Sequence, residues 1–181
     1  MSDQHFYQEE GIVLSHVPSN CLCLDVGCGN GIYGYVIRVL KRPRLLVGCD
    51  ISMSYLRVIK KHSIYDDVVC CDAAHLPFRE NAFEAILASQ VIEHLPREKG
   101  LKMLSDLDPI SKNIIIVSTP NGFMPQGPRD DEASMIHRSG WRVKDFKARS
   151  FIVHGIVEPS FLPIHTLVVS NSTIGGNHYS C

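Results

Sequence analysis

Short apolar runs alternate along the chain with segments whose apolar residues recur at helical spacing. The runs have the length of β-strands, and those in the middle of the chain are apolar without interruption, which is typical of strands covered on both faces. The predicted strands are residues 21–26, 45–49, 68–71, 83–88, 114–117, 151–157 and 165–169. This pattern predicts a mostly parallel sheet between layers of helices.

Helical periodicity fills the connections between most of these strands. Apolar residues three or four positions apart mark helices around Ile37, Leu56 and Leu104, and residues 6–17 are a further candidate. The connection between the last two strands is too short for a helical crossover, so these strands are expected to pair as an antiparallel hairpin. The predicted fold is therefore α/β and Rossmann-like, with a seven-stranded, mostly parallel sheet, a C-terminal antiparallel hairpin and helices on both faces.

The chain is predicted to form one domain, because 181 residues suffice to bury a full core without disulfides or a metal. A stretch rich in Gly, Pro and charge is the natural candidate for a lid over a site. His137 and Trp141 would either cap the pocket or anchor the next helix in the core, and the anchor is expected for Trp141. The predicted parts are the whole domain 1–181, its core 21–122, a lid 122–139, a closing hairpin 149–170 and a flexible tail 171–181.

Charge and hydropathy narrow the classes of partner. The chain carries 18 Lys and Arg against 19 Asp and Glu, a formal net charge of −1. A near-neutral chain argues against partners held mainly by charge, so neither a nucleic acid nor an anionic membrane is expected. No apolar run reaches the roughly 18 residues of a membrane span. The first residues show no signal-peptide pattern, so a cytoplasmic location is expected.

The seven cysteines are interpreted as buried small hydrophobic residues. None forms a C-x-x-C pair, and paired ligand spacings are what make a zinc site recognisable. Six of them lie in or beside apolar runs: Cys21, Cys23, Cys28, Cys49, Cys70 and Cys71. No metal site is expected from them.

A glycine-rich loop, residues 25–31 with the sequence DVGCGNG, follows the first predicted strand. Glycine permits positive φ and a close approach of a ligand to the backbone, and the start of the next helix offers free N–H groups. Gly29-x-Gly31-x-x-Gly34 also fits the dinucleotide fingerprint, so NAD binding is an alternative. The acidic Asp25 suits a positively charged ligand better than a pyrophosphate, or it fixes the loop by accepting backbone N–H bonds.

Carboxylates follow the next two predicted strands, Asp50 after the second and Asp72 after the third. Carboxyl ends of parallel strands meet at one crevice, and a carboxylate there can accept both hydroxyls of a ribose. Either aspartate alone would also suit a helix cap. The pair together with the glycine loop predicts a nucleoside site.

These motifs resemble those of the class I S-adenosylmethionine-dependent methyltransferases, in particular the broad methyltransferase type 11 group. The resemblance covers roughly residues 21–122. The loop Asp25-x-Gly27-x-Gly29-x-Gly31 is similar to the group's first motif, and Glu84 stands where the group more often has Asp. The group's fold, seven strands with the last one antiparallel, agrees with the hairpin expected from the short final connection.

The resemblance implies an enzyme that uses S-adenosylmethionine as its cofactor. Asp50 would hold the ribose, Asp72 the adenine side, and Ser89 and Gln90 would lie near the methionine portion. The residues implied for the cofactor are Asp25, Gly27, Cys28, Gly29, Gly31, Asp50, Ile51, Asp72, Ala73, Ser89 and Gln90.

His94 is the candidate general base, since the imidazole pKa of about 6.5 suits proton removal at neutral pH. The alternative is a histidine hydrogen-bonded at the edge of the core. Some ubiquinone-type O-methyltransferases bind a divalent cation here through Glu-x-x-Glu-His. In this chain Gln90 replaces the first acid, so no metal is expected, and Glu93 with His94 would then only begin a helix.

A small molecule is the expected methyl acceptor, with the acceptor atom undetermined. Exocyclic-amine methyltransferases of nucleic acids usually carry Asn/Asp-Pro-Pro-aromatic after the fourth strand, where this chain has residues 89–92, SQVI. Two alternatives are a catalytically inactive, methyltransferase-like regulatory protein and an NAD-dependent oxidoreductase. The oligomeric state is expected to be a monomer or a homodimer.

Overall fold

The computed structural model describes residues 3–128, 133–156 and 166–172, and a β-sheet lies at its centre. The strands are β1 Leu22–Val26, β2 Leu45–Asp50, β3 Asp67–Cys70, β4 Phe83–Ser89, β5 Ser111–Pro120, β6 Ile152–Ile156 and β7 Thr166–Ser172. The sheet has the order β3-β2-β1-β4-β5-β7-β6. β1 to β5 pair in parallel, and β7 pairs antiparallel with both β5 and β6. The prediction of an α/β, Rossmann-like, mostly parallel sheet is confirmed.

The end of the sheet extends beyond the predicted boundaries. β7 runs to Ser172, two residues past the predicted end of the hairpin at 170 and into the predicted tail. Residues 157–165, which join β6 to β7, and residues 173–181 lie outside the described residues. The hairpin as a whole and the tail therefore stay predictions.

The described residues form five α-helices. They are α1 Asp3–His16, α2 Ile32–Lys41, α3 Met53–Lys61, α4 Arg97–Ile110 and α5 Val143–Lys147, with 3-10 turns at Ile92–His94 and Ala133–Met135. Within the described ranges, no helix is long and apolar enough to cross a membrane.

The core is divided by the sheet into two clusters, because successive side chains of a strand point to opposite faces. On β1, Cys23 packs with residues of α1, α2 and α3, whereas the neighbouring Leu24 packs with α4 and the segment around Trp141. Both side chains are fully buried. Two hydrophobic layers thus hold the strand ends of the central sheet in fixed positions.

Trp141 is fully buried and packs against α4. A Cβ on Gly100 would lie 2.4 Å from the indole Cζ2, so this helix position has no room for a side chain. The Arg97 guanidinium lies 3.8 Å from the ring centroid, and the indole N–H donates to the Ser139 hydroxyl at 2.8 Å. The prediction that Trp141 anchors the chain in the core is confirmed.

Candidate functional site

The glycine loop after β1 adopts backbone angles that favour glycine. The φ angles of Gly27, Gly29 and Gly31 are +68°, +48° and +84°, all in the left-handed region. The N–H groups of Gly27 and Cys28 donate to the Cys49 carbonyl at 2.7 and 3.0 Å. The loop is therefore tied to the carboxyl end of β2.

The loop leaves open space where a ligand needs it. A Cβ on Gly29 would meet nothing nearer than the Gly27 carbonyl at 4.0 Å. Gly31 caps α2 without a side-chain hydrogen bond of its own, and the Ile32 N–H at the start of that helix donates to Asn30 Oδ1 at 3.4 Å. Gly34 has a different reason to be glycine, because a Cβ there would lie 2.1 Å from the Tyr65 hydroxyl oxygen. The third glycine of the dinucleotide-like pattern thus makes room for a side chain of the protein.

Asp25 is buried, and its carboxylate Oδ2 accepts the Tyr65 hydroxyl at 2.7 Å. Burial raises the pKa of Asp25 to about 7. The partner seen here is thus a phenol 40 residues away, whereas the sequence pointed to a ligand cation or to the N–H groups of the loop.

Asp50 joins the glycine loop to the start of α3. Its Oδ2 accepts the Gly29 N–H at 2.9 Å and its Oδ1 accepts the Ser52 N–H at 2.8 Å. Each carboxylate oxygen has a second lone pair for a further donor. The adjacent Ile51 is 56% exposed, so its side chain lies beside this carboxylate at the protein surface.

Asp72 lies after β3, where Lys99 of α4 reaches it. Its Oδ1 accepts the Ala74 N–H at 2.9 Å, and its Oδ2 lies 3.1 Å from the Lys99 ammonium and 3.7 Å from His75 Nδ1. Burial acts to raise the pKa of Asp72. The hydrogen bond from the Ala74 N–H and the Lys99 ammonium outweigh it, so this pKa lies below its usual value. Asp72 and the half-buried Ala73 are therefore set in a charged, partly solvated rim.

Ser89 and Gln90, at the end of β4, both donate to Glu9 of α1. Glu9 Oε1 accepts four donors: the Ser89 hydroxyl at 3.1 Å, Gln90 Nε2 at 3.2 Å, the Tyr33 phenol hydroxyl at 2.9 Å and the Ser118 hydroxyl. Glu9 is 4% exposed. Sequence reasoning missed this carboxylate, although two adjacent acids, Glu9 and Glu10, within the predicted N-terminal helix were a signal for it.

Glu93 is a second buried carboxylate, 2% exposed, in the 3-10 turn after β4. Its Oε2 accepts the Thr119 hydroxyl at 3.0 Å, and its Oε1 has no hydrogen-bond partner within residues 3–128, 133–156 and 166–172. Burial raises the pKa of Glu93 to about 8. The Glu93 carbonyl accepts the N–H groups of Arg138 and Ser139 at 2.8 and 3.0 Å, which fastens the end of the predicted lid to this turn.

His94 and His137 lie beside Glu93. Their ring centroids are 4.8 Å apart in an edge-to-face arrangement. One ligand atom from each of Glu93, His94 and His137 lies within 4.8 Å of the others. The sequence predicted no metal, and it did not associate His137 with the pair Glu93 and His94.

The predicted cofactor residues all follow strands at one edge of the sheet. The glycine loop follows β1, Asp50 ends β2, Asp72 follows β3, and Ser89 ends β4. These strands are parallel neighbours, so their carboxyl ends form the crevice in which open α/β sheets bind ligands. Sequence reasoning missed Glu9 and Tyr33, which hydrogen-bond to each other at this edge, where Ser118, Thr119 and His137 also lie.

Comparison with known proteins identifies the class. A family model described as a methyltransferase domain matches residues 24–123, more than half of the chain. The chain therefore belongs to the methyltransferase domain family. This match confirms the predicted class, a methyltransferase.

Relatives of this chain include proteins named for tRNA methylation. The Xenopus tropicalis protein named tRNA (carboxymethyluridine(34)-5-O)-methyltransferase alkbh8 is 35% identical over 89 residues, 49% of this chain and 13% of that protein. The Arabidopsis thaliana protein with the same enzyme name is 31% identical over 111 residues, 61% of this chain and 24% of that protein. The chain thus spans a quarter or less of the length of these relatives.

Solved structures share the fold at low sequence identity. A Haloferax volcanii putative methyltransferase, in complex with the Trm112 methyltransferase activator, has a TM-score of 0.76 and 14% identity, covering 98% of this chain and 92% of that one. The Synechocystis magnesium protoporphyrin IX methyltransferase with bound SAM has a TM-score of 0.61 and 18% identity. The match covers 93% of this chain and 78% of that one.

The expectation that nucleic acid is not a partner is wrong, because the relatives at 31–35% identity carry tRNA methyltransferase names. The argument from a net charge of −1 failed for a physical reason. Net charge counts every carboxylate as though it faced solvent, yet Glu9, Asp25 and Glu93 are buried. What a nucleic acid meets is the local distribution of charge on a surface.

Proposed function

We propose that this chain transfers a methyl group from S-adenosylmethionine to RNA, with tRNA as the acceptor class. The observation that carries the proposal is the similarity to two proteins named as tRNA methyltransferases, at 35% and 31% identity. A chain with a net charge of −1 needs a local basic surface or additional segments to hold RNA. The relatives are several times longer than the stretch they share with this chain, which is consistent with such segments.

The carboxyl edge of the sheet is the proposed cofactor site. Asp50 would accept the ribose hydroxyls with its remaining lone pairs while it keeps the Gly29 and Ser52 N–H bonds. The backbone of the loop, including Gly27, Cys28 and Gly31, would lie against the cofactor, with Ile51 on the same side. Asp72 and Ala73 would face the adenine. The open space at Gly29 supports this arrangement, since a ligand can approach the backbone there.

The methionine end would lie near Ser89, Gln90 and Glu9. The four donors to Glu9 are all neutral, so they leave the negative charge of the carboxylate in place. A buried carboxylate with neutral partners suits a ligand that carries positive charge. S-adenosylmethionine has both an ammonium and a sulfonium, so the residues present fit the cofactor. Asp25 would act indirectly, by holding the loop through Tyr65.

When bound, S-adenosylmethionine supplies a methyl group that its positive sulfonium already activates. The task of the chain is then to align the acceptor with that methyl group and to exclude water, which can supply much of the acceleration. His94, the predicted general base, stays a prediction. Its Nδ1 lies 3.3 Å from the Ile136 carbonyl, which leaves Nε2 as the nitrogen that would accept a proton.

A methylation assay tests the proposed function. The purified chain is incubated with methyl-tritiated S-adenosylmethionine and bulk tRNA, and the labelled nucleoside is identified by mass spectrometry. We expect incorporation into tRNA that falls at least tenfold in Asp50→Ala. Asp67→Ala, at an exposed aspartate that begins β3, is the matched control and should stay within twofold.

Calorimetric titration with S-adenosylhomocysteine separates the ways in which this assay can fail. Binding of S-adenosylhomocysteine without transfer to tRNA would contradict the proposed acceptor and favour a regulatory protein. No binding at all would contradict the proposed cofactor site. Binding that Asp50→Ala leaves unchanged would contradict the role of that carboxylate.

The architecture around the site is also a proposal. We infer one domain over residues 1–181, in which β6 and β7 close a seven-stranded sheet as a hairpin through residues 157–165. Residues 122–139 would act as the lid, and the hydrogen bonds from Arg138 and Ser139 to Glu93 support a fixed attachment at its end. The cytoplasmic location and the monomeric or homodimeric state stay predictions.

A further inference from the structure

Glu93, His94 and His137 form a cluster that the proposed cofactor site does not use. Glu93 and His94 belong to the turn after β4, whereas His137 lies more than 40 residues later, at the end of the predicted lid. One carboxylate oxygen and two imidazole nitrogens lie within 4.8 Å of one another. Ligands held at about 2.1 Å by a tetrahedral ion lie roughly 3.4 Å apart, so small side-chain rotations would bring the three atoms onto one ion.

The Glu93 carboxylate points to a missing ligand. It is 2% exposed, and its Oε2 accepts the Thr119 hydroxyl. Among the residues that the structure describes, the buried Oε1 has no hydrogen-bond partner. A buried carboxylate oxygen without a donor is costly, and coordination to a cation is one of the few ways to offset that cost.

The histidine rings have the orientation that metal ligands usually have. His137 Nδ1 lies 2.6 Å from the Met124 carbonyl, and His94 Nδ1 lies 3.3 Å from the Ile136 carbonyl. A carbonyl can only accept, so each Nδ1 carries the proton and the lone pair of the neutral ring lies on Nε2. Metal-ligating histidines characteristically donate their other N–H to a backbone carbonyl or a carboxylate.

We propose that Glu93, His94 and His137 bind one divalent transition-metal ion. Two imidazoles and one carboxylate suit ions such as Zn²⁺ and Co²⁺ better than Mg²⁺ or Ca²⁺, which prefer all-oxygen sites. The ion would join the turn after β4 to the end of the predicted lid. His94 then acts as a ligand through Nε2, and this role excludes the role of general base. The proposal concerns ion binding and does not depend on the methyl acceptor.

Titration of the purified chain with Co²⁺, after EDTA treatment and dialysis, tests this site. We expect saturable binding of one ion per chain, visible as weak absorption bands of a nitrogen and oxygen site, and displacement by Zn²⁺. His137→Ala and Glu93→Gln should each weaken binding at least tenfold. His62→Ala, at an exposed histidine after α3, is the matched control and should bind as the unchanged chain does.

Two further readouts keep the outcomes distinct. Zn²⁺ should raise the melting temperature of the unchanged chain and of His62→Ala, but not that of His137→Ala. The near-ultraviolet charge-transfer band of a cobalt thiolate, with affinity that His137→Ala leaves unchanged, would assign the ion to cysteines and overturn the proposal. Absence of saturable binding would also overturn it, and would leave the cluster a structural link between the lid and the turn.

Discussion

Two buried carboxylates at the carboxyl edge of the sheet differ in how they are satisfied. Glu9 receives four neutral donors on a single oxygen, whereas Glu93 receives one donor and keeps an oxygen without a partner. Two adjacent residues of β5 donate hydrogen bonds to these two acids. The Ser118 hydroxyl donates to Glu9, and the Thr119 hydroxyl donates to Glu93. Since neighbouring side chains of a strand point to opposite faces, the two acids lie on opposite sides of the sheet.

The comparison teaches that burial alone does not distinguish a carboxylate held by the protein from one that awaits a ligand. Both are below 5% exposed. The difference lies in the donors, because a saturated acid is already compensated by hydrogen bonds and an unsaturated one is not. Glu9 is accordingly expected to contribute to stability, and Glu93 to depend on what binds there.

The largest expected effect concerns a third buried acid, Asp25, which has one donor and should resemble Glu93. Its pKa is about 7 in the folded chain against 3.8 as the ordinary value, so the folded chain keeps a proton that the unfolded chain has already released. The free energy of unfolding should therefore fall as pH rises from about 4 to about 7, by about 4 kcal/mol, and then level off. Urea denaturation of the chain and of Asp25→Asn across this range isolates the effect as the difference between the two curves. Equal slopes in both proteins would contradict it.

Glu9→Ala is expected to lower the free energy of unfolding by about 3 kcal/mol, since four buried or half-buried donors lose their shared acceptor. The Ser89 and Ser118 hydroxyl oxygens lie 2.7 Å apart, so in this variant one can donate to the other, which limits the loss. Glu9→Gln retains an acceptor oxygen, so its free energy of unfolding should fall by less than half as much as that of Glu9→Ala. Urea denaturation at pH 7 measures both variants, and an alanine variant as stable as the unchanged chain would show that the donors find other acceptors.

The smallest expected effect is a difference between adjacent residues of β5. Thr119→Val should lower the free energy of unfolding by about 2 kcal/mol, because it removes the Thr119 hydrogen bond to Glu93. Ser118→Ala should lower it by less than about 1 kcal/mol, because Glu9 keeps three donors. The measurement is again urea denaturation at pH 7, with EDTA present so that no ion contributes. Equal costs for the two variants would remove the basis for treating the two acids differently.

The parts of the site that the sequence predicted are those built from one strand and the loop after it. Gly27, Gly29, Gly31 and Asp50 are recognisable because strand, glycine turn and helix follow one another along the chain. The parallel sheet was predictable for the same reason, since uninterrupted apolar strands alternate with amphipathic helices.

The residues that sequence reasoning missed are brought to the site by tertiary structure. Glu9 meets Ser118 across 109 positions, and Tyr65 meets Asp25 across 40. His137 reaches His94 through a stretch without regular periodicity. No local pattern encodes such contacts, because they depend on the order of strands in the sheet and on the path of the loops.

Tyr65 contacts three positions that lie apart in the sequence, Asp25, Gly34 and Gly48. Its ring fills the space beside Gly34 and Gly48, where an added Cβ would lie 2.1 and 2.9 Å from it, and its hydroxyl holds Asp25. An alanine at either glycine would displace the ring and so release the Asp25 carboxylate of the glycine-rich loop. For protein engineering, Gly34, Gly48 and Tyr65 therefore form one unit: a larger residue at either glycine requires a smaller residue at 65, together with a new partner for Asp25.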